Sequence, residues 1–380
     1  MTRLQDLVFY FLRLGSVVFG GPVVLAAHMQ RVLVEERRWI SQEDFEQGFT
    51  LAQLAPGPLA TQLAMYIGWL KAGRWGAALV GFAFVLPSFL MVLLIAMFYV
   101  SCHGLPWLEG AFYGIGAAVI ALMLLGAYKL LKKTVGKDFF LGAIAASSLL
   151  VTAITESEII WLFLLSGVGA VLYKGKYLRR TYSFSLLLPS VLVSGIKGEV
   201  YDEGFFKLLL FFTKAGAFVF GSGLAIVPFL HSGVVVEQQW LSERQFLDAV
   251  AVAMISPGPV VITVAFIGYL IAGLSGAIIA SIGIFLPSYL LVVLSAPYYR
   301  KFSHSVLLKH FTQGVTAAAV GAIGGAALVL GKKAIIDLPT SAIFIVVLIM
   351  LLFFKKIPEP ILIILAGVLG HVLRSLSSNL

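Results

Sequence analysis

Between positions 75 and 100 the chain runs without one charged residue. Comparable stretches, nearly free of charge, follow at 108–131, 139–153, 159–173, 277–299, 312–330, 341–354 and 360–373. About 20 apolar residues in a helix cross the hydrocarbon core of a bilayer. A chain that offers so many such segments can satisfy its backbone in lipid only as helices. Composition agrees: 60% of residues are hydrophobic and 12% charged, where a soluble domain carries about 25% charged residues. The segment after Asp6 is interrupted by Arg13 and Gly15 and lacks a small-residue cleavage pattern, so it does not read as a cleavable signal.

The excess of 27 Lys and Arg over 18 Asp and Glu, a net +9, bears on orientation rather than on partners, because cytoplasmic loops collect positive charge. No stretch is long enough to form a basic soluble domain, which argues against nucleic acid. Cys102 is the only cysteine, and the six histidines show no ligand spacing. Neither a disulfide nor a metal centre is expected, and no cofactor.

The chain is written twice. Phe11, Gly15, Phe19 and Gly20 return as Phe212, Gly216, Phe220 and Gly221, and Glu36, Trp39 and Ser41 as Glu237, Trp240 and Ser242. Pro56-Gly57-Pro58 matches Pro257-Gly258-Pro259. After one deletion, Gly68, Gly73, Gly76 and Leu86-Pro87-Ser88 match Gly268, Gly273, Gly276 and Leu286-Pro287-Ser288. Shared Pro, Gly, Trp and Glu in one register are not a by-product of apolar composition. Lys and Arg gather at 71–74, 129–137 and 174–180 in the first half, whereas the loop at 272–275 in the second half has none. Placing positive loops inside turns the halves upside down relative to each other, with Lys332 and Lys333 against the rule. The expected fold is an all-α membrane protein of two inverted repeats, 1–180 and 201–380, joined by an interfacial connector at 181–200. Each repeat has about five crossings, with a re-entrant or broken helix at Pro-Gly-Pro.

Inverted repeats with interrupted helices are a transporter architecture, with the substrate site at the breaks near the midplane. Each half carries two breaks: Gly20-Gly21-Pro22 and Gly221-Ser222-Gly223, then Gly57 and Gly258 within their prolines. Proline removes an amide donor and glycine admits unusual dihedrals, so the helical ladder stops there. Amides at the start of the next half-helix then suit an anion, and Thr61, Gln62 and Thr263 add side-chain donors. The bland alternative is a kink for packing, which duplication of both breaks disfavours. Arg13 and Lys214 hold matching positions in the first helix of each half and are candidate substrate cations, against the alternative of snorkelling to an interface. Glu36 and Glu237 are candidate coupling or gating groups, or else solvated loop charges. An intramembrane enzyme would need paired carboxylates or a nucleophile–base dyad, and none stands at helical spacing.

With these residues in view, the chain resembles the chromate ion transporter family. The resemblance rests on Phe19-Gly20-Gly21-Pro22, on Glu36 and Trp39, on Ala52 through Pro58, and on Leu86-Pro87-Ser88. It implies export of chromate from the cytoplasm through the inner (plasma) membrane, coupled to protons, with chromate resistance as the outcome. Sulfate shares the tetrahedral dianion shape, and a passive anion channel is the rival within transport. Beyond these ions and lipid no partner is implied, and a homodimer is compatible with the sequence. The second half departs from the pattern at Ser222, Gly223 and Met254, so the halves are expected to contribute unequally.

Overall fold

The computed structural model describes residues 4–19, 21–102, 106–156, 160–175, 203–219, 223–298, 306–354 and 357–377. Among them the chain is helical throughout, without strands. The first repeat comprises α1 (Leu4–Val17), α2 (Pro22–Gln30, continuing as a π-helical turn Arg31–Glu36), α3 (Gln42–Leu54), α4 (Leu59–Ser101), α5 (Pro106–Val135), α6 (Phe139–Thr155) and α7 (Ile160–Gly175). The second comprises α8 (Glu203–Ala217), α9 (Ile226–Leu230, continuing as a π-helical turn His231–Glu237), α10 (Glu243–Ile255), α11 (Thr263–Ser295), α12 (Val306–Ala334), α13 (Leu338–Phe353) and α14 (Glu359–Ser377). The connector expected at 181–200 lies outside the described residues.

α4 is not one straight rod. Ala72 and Gly73 leave helical geometry, with Gly73 at φ 57, ψ −144, a conformation open to glycine and little else. A Cβ on Gly68 would stand 2.2 Å from the carbonyl oxygen of Gly76. Eight residues apart in an unbroken helix, these two would be about 12 Å apart. The chain therefore turns back on itself, and residues 59–71 and 74–101 are antiparallel arms. α11 repeats the device at Ala272 and Gly273 (φ 62, ψ −147). The arm 59–71 packs on α3, with Gly48 under the Tyr66 ring, so α3 and this arm form a hairpin with Pro56-Gly57-Pro58 at its tip. At 13 residues, α3 is about 20 Å long and stops short of crossing the roughly 30 Å core.

The first helix packs on the long arm of α4 and touches the next helix through one aromatic residue. α1 has 14 residues and packs on the arm 74–101, with Phe11 against Phe84, while Tyr10 Oη stands 3.3 Å from His28 Nδ1 and the Tyr10 ring lies against Trp39. Phe211 does the same against Phe229 and Trp240 in the second repeat. Each repeat thus opens with short helices around its two breaks and continues into longer apolar helices, in keeping with two repeats of membrane-spanning helices. Apolar length alone does not separate a short crossing from a hairpin arm.

The inversion shows in contacts between repeats. Tyr289 Oη donates to the Arg74 carbonyl at 3.4 Å, so the start of the arm 74–101 lies beside the far end of α11. The ends of α5, α12 and α14 that carry Lys129, Lys309 and Glu359 share one face of the molecule. Glu109, Arg244 and Arg374 meet at the other. Lys333 sits on that second face, held by Glu156 at 3.2 Å and by Glu243, so its charge against the orientation rule is locally neutralised. Close helix contacts run through small residues: Gly114 faces the Ala366 carbonyl and, symmetrically, Gly314 faces that of Ser166.

In a variant freed of Cys102, cysteines placed at Arg74 and Leu274, equivalent positions of the two repeats, are expected to react with an impermeant thiol reagent from opposite sides of the membrane. Labelling of both from one side would contradict the inversion.

Candidate oxyanion site

The four hairpin tips meet across the repeats. The Gly57 amide donates to the Val219 carbonyl at 2.5 Å, and the Gly258 amide to the Val18 carbonyl at 3.2 Å. Each Pro-Gly-Pro tip is therefore docked on the other repeat's first tip. Gly57 and Gly258 sit at φ 136 and φ 91, which glycine tolerates and which lets both amides reach across. Ser88, near the middle of the arm 74–101, donates to the Pro257 carbonyl at 2.6 Å and lies 3.3 Å from that of Gly15. Gly15 and Gly216 have no side chain because α1 and α8 press on the carbonyls of Phe84 and Ile284, each 2.2 Å from a built Cβ.

These bonds consume the two glycine amides, but the first turns of the following helices keep theirs. α4 begins after Pro58 with no side-chain cap, and its first bond is Gln62 N–H to the Pro58 carbonyl at 2.9 Å. The amides of Leu59, Ala60 and Thr61 are left without a helical acceptor. In the second repeat Ile262 N–H bonds the Pro259 carbonyl at 3.0 Å, leaving Val260 and Val261.

A cavity of about 850 Å³ ends on these turns. Its walls include Gly21–Leu25, Pro58–Ala60, Gly223, Leu224 and Gly258–Val261. It opens on the face that carries Lys129, Lys133 and Lys309, and among the described residues none of the opposite face lines it. Among the described residues none of these three lysines forms an ion pair, whereas Lys174 is taken by Asp138 at 2.7 Å. The hydrogen bond from that ammonium holds the Asp138 carboxyl below its ordinary range. A lysine-ringed mouth leading to uncapped helix starts is suited to an anion.

Of the residues singled out from sequence, Gly21 and Gly258 line the cavity. Gly57, Thr61 and Gln62 are buried at the tip behind the wall, and Thr263 spends its hydroxyl on the Ala249 carbonyl at 2.8 Å. Gly20, Gly221 and Ser222 lie outside the described residues. The structure does not bring Arg13 or Lys214 to the cavity. α1 buries Leu7, Phe11 and Leu14 against the arm 74–101 and α8 buries Leu208, Phe212 and Ala215, so both cations fall on exposed faces. Glu36 and Glu237 are exposed at the outer ends of the hairpins, Glu36 paired with Arg31 at 3.4 Å and Glu237 accepting from Ser232 at 3.3 Å. Sequence reasoning missed the mouth lysines, which read there only as markers of orientation. It also missed Ser88 and Ser288, whose signal was a duplicated hydroxyl inside an apolar run.

The chromate transporter family matches the sequence over residues 5–171 and 206–371, one segment for each repeat. The chain belongs to that family. It is 52% identical to a chromate transport protein of Cupriavidus metallidurans, over 97% of this chain and 93% of the relative. A probable chromate transport protein of Synechococcus elongatus is 48% identical over 98% and 96%. An uncharacterized transporter of Methanocaldococcus jannaschii is 30% identical over 96% and 92%. No solved structure matches the chain.

The tips carry a stability prediction. A Cβ at Gly258 would meet Ser88 Oγ at 2.1 Å, and one at Gly57 would meet Gln62 Nε2 at 2.3 Å, both on positive-φ backbone. Gly57→Ala and Gly258→Ala are expected to cost about 1–3 kcal/mol, seen as a lowered unfolding temperature in detergent, and to cripple transport. Gly142→Ala, where the nearest atom is 3.5 Å away, should be close to neutral.

Proposed function

We propose that the protein is a secondary active transporter that exports chromate through the inner (plasma) membrane in exchange for protons, and so confers chromate resistance. The observation that carries this reading is the one-sided cavity. It runs from a lysine-lined mouth to the uncapped helix starts at the tips, and among the described residues its walls hold none of the opposite face. By the distribution of positive loops that mouth is cytoplasmic, which fits loading from the inside.

On the opposite face the hairpin of α10 is tied down. Glu109 holds Arg374 at 2.9 Å and Arg244 at 3.8 Å, Glu243 holds Lys333 and, at 2.8 Å, His231, and Tyr99 donates to Asp248 at 2.8 Å. By the repeat register, the equivalents of Arg244 and Glu109 are Glu43 and Lys309, a pair of reversed sign on the open side. Among the described residues those two form no ion pair in this state. Alternating access would break the first pair and make the second, so that the cavity shuts on one face as it opens on the other. A passive anion channel would keep both faces open at once. Sulfate is the competing cargo, and the wall of the cavity holds no feature that separates it from chromate by shape.

Radiolabelled chromate and sulfate uptake into proteoliposomes tests the reading. A carrier is expected to saturate and to respond to an imposed pH gradient, and cysteines at 43 and 309 should crosslink during turnover and arrest it. Flux indifferent to the gradient and unaffected by the crosslink would favour the channel.

A further inference from the structure

The hairpin of α10 encloses a carboxyl group. Asp248 is 3% exposed. The hydroxyl of Tyr99, reaching in from the arm 74–101 of the other repeat, donates to its Oδ2 at 2.8 Å. The Tyr99 ring stands edge-on to Phe112 at 5.4 Å and to Phe266 at 5.2 Å, so the surroundings are apolar. Among the described residues no cation pairs with Asp248. Arg244, one turn away on the same helix, is turned to Glu109, with Nη1 3.8 Å from the carboxylate and Nη2 donating to the backbone carbonyl at 3.1 Å. An ionised carboxylate shut away from water without a cation is costly, whereas the protonated group is neutral and asks only for hydrogen bonds.

The first repeat shows the same hairpin in its open form. By the repeat register the equivalent of Asp248 is Gln47, which is half-buried and donates from Nε2 to Glu43 at 3.2 Å. Beside it Glu46 is exposed, whereas its equivalent Leu247 is buried. These positions are therefore wet in the open hairpin and dry in the shut one. Exchange of the two arrangements during alternating access would bring Asp248 to the outer solution when the α10 hairpin lifts, and seal it off when the hairpin closes.

We infer that Asp248 is the residue that takes up the coupling proton from the outer solution, and that the outer face shuts over it only in its protonated form. The inference rests on the reading of the protein as a proton-coupled oxyanion exporter and deepens it by naming the group that receives the proton. The proton passes from outer water to a carboxylate oxygen, and Tyr99 bonds the neutral group while the face is shut. The inner cavity is not the source, since neither Asp248 nor Tyr99 is among the residues that line it. The inner hairpin has no counterpart, because the Gln47 amide does not titrate. Uptake is thus a step of the outer face alone.

The other charged and titratable groups around α10 are engaged elsewhere or remote. On α10 itself Glu243 holds Lys333 of α12 and, at 2.8 Å, His231 of the preceding π-helical turn, where Glu237 accepts from Ser232. On α5 Glu109 holds Arg374 of α14 as well as Arg244. His371 of α14 and Lys332 of α12 are exposed. α11 carries no Asp, Glu, Lys, Arg or His, and the remaining charges of α4, α5, α12 and α14 stand toward the opposite face. His231 is the one rival for a proton at this hairpin among the described residues, and the test separates the two.

The test is chromate uptake into inside-out membrane vesicles, with the external pH fixed and the lumen, which is the outer side, buffered over a series of pH values. The wild-type rate is expected to rise about tenfold per unit of luminal acidification while uptake of one proton limits the cycle. Asp248→Asn, neutral at every pH and still able to accept from Tyr99, should keep uptake and lose its dependence on luminal pH. His231→Gln should retain the slope. Asp248→Glu keeps a carboxyl in a shifted place and should retain the slope with a displaced midpoint; it decides the matter where the Asn variant does not assemble. An Asp248→Asn protein with the wild-type slope would overturn the assignment, as would an Asp248→Glu protein with the wild-type midpoint or a slope lost in His231→Gln. A wild type that takes up no chromate, or takes it up indifferently to luminal pH, would instead strike the reading as a proton-coupled exporter.

Discussion

A backbone amide or carbonyl that loses its helical partner in a membrane interior has no water to turn to, and this need governs how the molecule is assembled. Each repeat breaks its helices twice, between α1 and α2 and between α3 and α4, and at the equivalent places of the second repeat. The two repeats answer for one another: Gly57 bonds Val219, Gly258 bonds Val18, and Ser88 bonds Pro257. Neither set of hairpins could be satisfied in this way alone. The inverted duplication is in this sense a structural requirement, since only a partner entering from the other face brings its tips to the same depth.

Docking the tips against each other leaves the first turns of α4 and α11 uncapped at the end of a cavity whose mouth carries Lys129, Lys133 and Lys309. The electrostatics are thus layered, with mobile cations outside and fixed amide dipoles within. The layers are not symmetric. The α10 side is cross-linked by charges and shut, while the α3 side carries Gln42, Glu43 and Gln47 at the equivalent places and is open. Within the shut hairpin Asp248 is buried, where the open one has the half-buried Gln47. Duplication supplies the scaffold, and single substitutions within it separate the roles of the halves.

Much of this was legible in the sequence. Apolar runs gave the helical class, and the recurrence of Pro, Gly and Trp in one register, with alternating positive loops, gave the inverted repeat. The breaks at Gly57 and Gly258 followed from glycine and proline chemistry. What sequence could not give was depth. α1 lays its apolar stripe on the arm 74–101, and only Tyr10 reaches His28 and Trp39 beside it. Arg13 and Lys214 read as interior cations because they match across repeats, yet symmetry fixes equivalence and not the direction in which a helix face points. The mouth lysines come from α5 and α12, distant in sequence from the breaks and identifiable only once those helices are packed.

The claim on which the rest depends is that the substrate binds where the tips of the two repeats meet. Anomalous scattering from chromium in crystals of the protein grown with chromate tests it directly, since the metal of the cargo reports its own position. The account predicts a peak at the inner end of the cavity, against the first turns after Pro58 and Pro259. A peak confined to the lysines at the mouth, or one beside Arg13 or Lys214 on the outer faces, would contradict it.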